Sequence, residues 1–389
     1  MKIALLGPVA WRTPPLHYGP WEQITSLIAN GLVARGVDTT LFATLDSVTT
    51  ANLDGVCATG YAEEPATDGR ISEALHVAHA LARSGEFDLV HNHLDWLPLA
   101  FARHFRAPLV TTVHGFSGRR ILPAYLHASS SSYVSISNAD RAPELDYVAT
   151  VYHGIDLDAL PFSATCGDAL VAFGRIHPDK GTAAAIDIAR RASRRLVIAG
   201  IVQDPKYFHE QVEPHIDGDR VTYLGSVGPE RRADVLGSAA VLLHPIAFPE
   251  PFGLSVVEAM ACGTPVITYP LGSMPEVVDA GVTGFLVDGV EEPWRPWTRL
   301  RRWTGRRSDG GPSAGSEPRG WSTTTWPCTS ASSERDDTHD PSLLRESDSD
   351  PGHDRAFEAG LRGRGRVQPR GRSRRRRNAP ALARGGSAA

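Results

Sequence analysis

Pro249-Glu250-Pro251-Phe252-Gly253-Leu254-Ser255-Val256-Val257-Glu258-Ala259-Met260-Ala261-Cys262-Gly263-Thr264-Pro265-Val266-Ile267 is the stretch on which the reading of this chain turns. Glu250 and Glu258 stand eight residues apart, prolines bound a loop, and Gly253 sits where a helix should begin. Gly263-Thr264-Pro265 stops that helix, and Val266-Ile267-Thr268 reads as the next strand. The first N–H groups of such a helix lack partners and lie at its positive end, so Gly253 and Leu254 offer donors to a phosphate. Glu258, about one turn further in, points back toward the same opening. A carboxylate there accepts two hydroxyl hydrogen bonds, as a ribose diol requires. The same spacing also fits an ordinary strand–loop–helix crossover with two solvated glutamates.

Working outward, short β-rich runs alternate with helical patterns as far as residue 290. Strands are expected at Ile3–Leu6, Asp38–Ala43, Leu89–His91, Leu109–Val113 and Tyr133–Ile136, with helices at Glu22–Arg35 and Ile71–Arg83. After His153-Gly154-Ile155-Asp156 the pattern restarts. Strands are expected at Leu170–Phe173, Arg195–Ala199, Val221–Leu224 and Ala240–His244, and helices at Gly181–Ala192 and Pro229–Leu236. Such alternation argues for parallel sheets covered by helices on both faces. Two doubly wound α/β domains are expected, 1–160 and 161–293, facing a cleft at the carboxyl ends of their strands.

Composition narrows the class. The net charge of −4 hides an asymmetry: residues 294–389 hold 20 Arg, no Lys and 11 acids, hence +9, which leaves −13 on 1–293. A body that acidic has no bulk electrostatic reason to bind nucleic acid. The cysteines at 57, 166, 262 and 328 lack metal-ligand spacing and read as reduced thiols of a cytoplasmic protein. Met1–Pro8 is too short for a signal segment, and no apolar run reaches the ~20 residues of a membrane span. Peripheral membrane contact stays open.

Beyond Glu292 the periodicity collapses, and five of the eight tryptophans fall between Trp294 and Trp326. Trp has a single codon, TGG; read one base earlier it becomes NTG, always Leu, Met or Val. Pro293-Trp294-Arg295-Pro296-Trp297-Thr298 is then compatible with Ala-Val-Ala-Ala-Val-Asp, continuing Val290-Glu291-Glu292 as an amphipathic helix. The hypothesis is a frameshift near Glu292 that leaves 294–389 as a disordered tail; resequencing the gene at that codon checks it, and an intact frame sinks it.

Other constellations surround the expected cleft. Gly174-Arg175-Ile176-His177-Pro178-Asp179-Lys180-Gly181 ends a strand and enters a helix. Arg175 supplies a planar fork and Lys180, one of three lysines in the chain, a point charge. Together they suit a diphosphate; a solvated loop is the alternative. Gly19, in Pro14–Glu22, permits close backbone approach ahead of a helix. His114, before Gly115, is a candidate partner for a substrate hydroxyl or carbonyl. His91, Asn92 and His93 have metal-ligand chemistry, but strand alternation puts His91 and His93 on one face away from Asn92. Nothing completes a metal site there, and none is expected. Gly272-Ser273-Met274-Pro275-Glu276 reads as a loop and helix start that Glu276 suits as a first-turn carboxylate.

In this order the motifs resemble the retaining glycosyltransferases of family 4, which have the GT-B fold. The resemblance covers about 1–290 and rests on the Gly19 loop, Thr112–Gly115, His153–Asp156, Gly174-Arg175 with Lys180-Gly181, the Glu250/Glu258 segment, Pro275–Val278 and Gly284–Val287. It implies transfer of a sugar from a nucleotide-diphosphate sugar to a sugar, lipid or small-molecule hydroxyl acceptor, with retention and with no metal or other cofactor. Glu250, His114, Arg175 and Lys180 are the implied catalytic set. Glu258, Phe252, Gly253, Leu254, Gly174 and Gly19 are implied at the donor, and His91, Asn92 and Trp96 on the acceptor side. A front-face reaction, in which the leaving phosphate takes the acceptor's proton, and a double displacement through Glu250 are both open. The chain departs from the family at Gly19-Pro20, where many members have a glycine pair, and in its C-terminal part, where closing helices are usual. Two rivals follow: a nucleotide-sugar-binding protein without turnover, and a nucleotide-sugar epimerase.

Overall fold

The computed structural model describes residues 1–289 except 65, 116–119 and 129. The expected tail at 294–389, with the frameshift hypothesis, lies outside the described residues. In chain order the first half runs β1 Lys2–Leu6, α1 Pro20–Ala34, β2 Asp38–Phe42, β3 Asn52–Asp54, α2 Gly69–Arg83, β4 Leu89–Asn92, β5 Leu109–Val113, α3 Leu122–His127, β6 Ser131–Ser135 and β7 Tyr147–Thr150. The second half runs β8 Leu170–Phe173, α4 Thr182–Arg191, β9 Leu196–Ala199, α5 Pro205–Tyr207, β10 Val221–Tyr223, α6 Pro229–Gly237, β11 Val241–His244, α7 Leu254–Ala261, β12 Val266–Thr268, α8 Met274–Val277 and β13 Gly284–Leu286.

Each half builds one wholly parallel sheet. The first has order β3-β2-β1-β4-β5-β6-β7 and the second β10-β9-β8-β11-β12-β13. Strands covered on both faces need apolar side chains on both, which explains why β11 and β12 are buried at every position. Two strands absent from the sequence reading, β3 and β7, lie at sheet edges, where half-exposed residues give no continuous apolar run.

Each strand order reverses once, between β1 and β4 and between β8 and β11. A crevice opens at the carboxyl ends of the strands flanking such a reversal. The loops there are 7–19 after β1, 93–96 after β4, 174–181 after β8 and 245–253 after β11. The expectation of reduced cysteines fits Cys57 and Cys262, which are free thiols. Cys166 departs from it: this residue is disulfide-bonded. Distance along the chain does not report the Cα separation that decides whether two thiols can bridge. No helix among the described residues is long and apolar enough to cross a membrane.

Candidate active site

The loops at the two sheet reversals wall a cleft of about 940 Å³. Its C-terminal face is organised by the loop and helix quoted at the outset. Gly253 caps α7 in the left-handed conformation, φ 89° and ψ 58°, which a residue with a Cβ adopts only with strain. A Cβ there would also lie 2.6 Å from Met274 Cε. The first N–H groups of α7 lack intrahelical partners, and this end of the helix stands at the cleft, which Phe252, Gly253 and Leu254 line. Behind it, Ser273 N–H donates to Glu250 O at 2.8 Å and Ser273 Oγ donates to Phe252 O at 2.9 Å, pinning the loop.

The cations arrive from β8. Gly181 begins α4 so close to the β11 loop that a Cβ would sit 1.9 Å from Pro245 O. Ala247 N–H donates to Asp179 O at 2.7 Å, fastening the two loops together. This contact carries Lys180 to Glu250, with which it forms an ion pair. His244 Nε2 lies 3.2 Å from the same Glu250 oxygen. Burial alone would raise the Glu250 pKa, but the charge of Lys180 and the contact with His244 outweigh it and hold it at about 2. Glu250 is therefore a fixed anion at neutral pH. Lys180 Nζ stands 4.9 Å from the centre of the Phe248 ring and the Arg175 guanidinium 5.8 Å from it. Arg175 Nη1 donates to Gln203 Oε1 at 2.5 Å, and its Nη2 reaches Asp179 at 3.5 Å.

Glu258 is buried and meets Arg232 of α6, Nη1 to Oε1 at 2.7 Å. Burial raises its pKa, and Arg232 opposes that rise. Arg232 escaped the sequence reading. One signal was available: α6 carries two arginines near its N-terminus, the end where a helix dipole disfavours cations, so a tertiary partner was called for.

The N-terminal face is of another kind. Gly19 caps α1, and Glu22 in the first turn of that helix is buried, 3% exposed, with Trp11 N–H donating to its Oε1 at 3.3 Å. Burial pushes the Glu22 pKa up to about 7. Trp96 reaches the cleft wall, but the structure brings neither His91 nor Asn92 to it. His91 Nε2 is engaged by Thr112 Oγ1 at 2.8 Å. Asn92 is fully buried and braces its own turn, donating to Asp95 O and accepting from Leu94 N–H, both at 2.9 Å. Parallel-strand residues are covered on both faces, so it is the loop beyond β4, residues 94–97, that reaches the cleft.

His114 lines the cleft with both ring nitrogens engaged. Nε2 faces His93 Nδ1 at 2.9 Å and Nδ1 faces His153 Nε2 at 3.3 Å, while Trp21 stacks on the ring with centroids 5.5 Å apart. Burial lowers the pKa of all three imidazoles, so the chain is neutral at pH 7. Among the described residues no group of three or more His, Cys, Asp or Glu is arranged to hold a metal ion. Glu276 does not cap its own helix, α8. It clasps the other half of the molecule, accepting from Asn138 N–H, Ala139 N–H and Tyr152 O–H at 2.9, 2.6 and 2.7 Å. The loop after β6 offers it unpaired donors that a four-residue helix cannot match.

Comparison with known proteins agrees with this architecture. The family profile "Glycosyltransferase Family 4" matches residues 22–159, and "Glycosyl transferases group 1" matches 167–293. The chain is a group 1 glycosyltransferase of family 4. This glycosyltransferase is 26% identical to a glycogen synthase of Mycobacterium tuberculosis over 334 residues, 71% of the chain and 80% of that relative. It is 31% identical over 266 residues to a D-inositol 3-phosphate glycosyltransferase of Mycolicibacterium smegmatis, spanning 54% of the chain and 58% of that relative. Among solved structures, a glycosyltransferase involved in avilamycin A biosynthesis superposes with a TM-score of 0.58 at 25% identity, covering 77% of this chain and 88% of that one. Sucrose-phosphate synthase from Thermosynechococcus elongatus shares the fold, with a TM-score of 0.62 at 18% identity over 77% of this chain and 90% of that one.

Proposed function

We propose that the cleft transfers a sugar from a nucleoside-diphosphate sugar to a hydroxyl acceptor with retention of anomeric configuration, and without a metal ion. One observation carries this reading: every Lys and Arg among the described residues lining the cleft stands on its C-terminal face, about the N-terminus of α7. Arg175 and Lys180 then stabilise the diphosphate as its bond to the anomeric carbon breaks, the task a divalent cation performs elsewhere. The Glu258 carboxylate holds the ribose diol with its remaining lone pairs. Phe252, Gly253 and Leu254 offer N–H groups beside the sugar and phosphate.

Glu250 orients the donor sugar. Its Oε2 is already engaged by Lys180 and His244. A carboxylate so pinned and so strongly ionised is a weak nucleophile, which favours the front-face route over double displacement. In that route the anomeric carbon–diphosphate bond breaks, the acceptor oxygen bonds to the same face, and the acceptor's proton passes to the departing phosphate oxygen. Following the anomeric proton by NMR, in EDTA, with UDP-, ADP- and GDP-sugars and a sugar acceptor tests this reading. Product of retained configuration is expected; inverted product, or a requirement for added Mg²⁺ or Mn²⁺, contradicts it.

A further inference from the structure

The two faces of the cleft differ in charge in a way that names a class of acceptor. The cations Arg175, Lys180 and Arg232 all belong to the C-terminal face, and each is already committed, to Asp179 and Gln203, to Glu250 and to Glu258. The described residues of the N-terminal face include no Lys or Arg; they include three carboxyls, Glu22, Glu73 and Asp95. Glu73 accepts from Tyr61 O–H at 2.9 Å and Asp95 accepts from Tyr125 O–H, so both are braced. Glu22 is the exception. Nine-tenths and more of it is buried, its Oε1 takes one long bond from Trp11 N–H, and its Oε2, against Gly19, has no hydrogen-bond partner among the described residues. Oε2 is not among the buried side-chain atoms that lack a partner, so it is open to a hydroxyl in the cleft that Glu22 lines. Trp11 and the half-exposed Trp96 add flat apolar surface on the same wall.

We infer that the N-terminal face takes an uncharged polyhydroxylated acceptor, a sugar or cyclitol without phosphate or carboxylate, and that Glu22 Oε2 is the group that orients it. This rests on the transferase reading of the cleft given above. Ionised, Glu22 accepts from a hydroxyl; protonated, it both donates and accepts. Ionised, with Glu73 and Asp95 nearby, it repels a phosphate; protonated, it offers a phosphate one O–H and no charge to balance it. The aromatic walls suit the C–H faces of a sugar ring, and the cations across the cleft are taken up by the donor's diphosphate.

Saturation-transfer NMR on the full chain tests this without requiring turnover. The protein is loaded with UDP and offered two matched pairs: methyl α-glucoside with glucose 6-phosphate, and myo-inositol with inositol 3-phosphate. A neutral probe is expected to bind, and its phosphorylated partner neither to bind nor to displace it. Above about pH 7, where Glu22 is ionised, Glu22→Gln should raise the neutral probe's Kd about tenfold, the loss of one charge-assisted hydrogen bond. UDP signals should stay unchanged in that variant. Trp96→Ala should weaken the same probe, while Glu250→Gln leaves it in place, which separates the acceptor face from the donor-sugar pocket. A phosphorylated probe that binds as well as its partner overturns the inference. So does a neutral probe indifferent to Glu22→Gln, and so does silence from all four probes while UDP still binds. Absence of signals from UDP, and from ADP and GDP in its place, instead overturns the donor reading, and this inference with it.

Discussion

Glu250 and Glu22 are both buried carboxyls on the wall of one cleft, and their pKa values are driven in opposite directions. Glu250, on the C-terminal face, is held at about 2 because Lys180 and His244 overcome the cost of its burial. Glu22, on the N-terminal face, rises to about 7 because no cation answers its burial. Burial is common to both, so the partner decides whether a carboxyl is a fixed anion or a proton carrier. The cleft thus has one face built of compensated charge and one that is uncompensated.

Lys180→Ala breaks the compensated face and should have the greatest effect. It leaves Glu250 as a buried charge without its main counter-ion, costing about 3–5 kcal/mol in denaturant unfolding. Lys180→Met with Glu250→Gln should recover most of that loss; if the double variant is no more stable than the single one, the pair is not what compensates Glu250.

The other face is read through pH. The folded-state pKa of Glu22 stands above its ordinary value of 4.5, so between pH 4.5 and about 7 the folded protein holds a proton that the unfolded chain releases. Stability from this group therefore falls as pH rises through that window, by about 3 kcal/mol in all. Glu250 has the reverse sign: its contribution is present above pH 4.5 and is lost as pH falls toward 2. Glu22→Gln should flatten the decline between pH 4.5 and 7 and leave the acid limb alone. An unchanged profile above pH 4.5 means that Glu22 does not titrate as its burial demands.

Glu258→Gln keeps an acceptor for Arg232 and removes the charge offered to a ribose diol. It should weaken nucleoside-diphosphate binding by about 1.5–3 kcal/mol, roughly tenfold or more in Kd. Unchanged affinity in a titration refutes the ribose assignment. Glu276→Ala should matter least. It removes an exposed clasp between the two halves, and thermal unfolding should report a loss of about 1 kcal/mol or less.

The same contrast explains what could be read in the sequence. The compensated face is made by local pattern: Gly253 before a helical run, Glu258 one turn in, Arg175 and Lys180 on one strand–helix loop. Each of these is set by spacing along the chain, and the strands beneath them are continuous apolar runs because both faces are covered. What escaped was long-range. Glu22 looks like an ordinary first-turn carboxylate, and its burial against Gly19 is invisible until the loop folds back. The Arg232–Glu258 pair joins positions 26 residues apart. The His93–His114–His153 chain needs β4, β5 and the segment after β7 brought side by side, and it leaves His114 with no ring nitrogen free for a sugar. His91 and Asn92 have the right chemistry for an acceptor site, but His91 is taken up by Thr112 and Asn92 is fully buried in its own turn, while Trp96, a few residues on, reaches the cleft.

The central claim is that the C-terminal face is a nucleoside-diphosphate site built on Arg175 and Lys180. Calorimetric titration of UDP, ADP and GDP into the full chain and into Arg175→Ala tests it most directly. At least one nucleotide should bind, and the variant should bind that nucleotide at least about tenfold more weakly, as the loss of a charge-assisted contact requires. Failure of all three to bind, or equal affinity in the variant, would contradict the account.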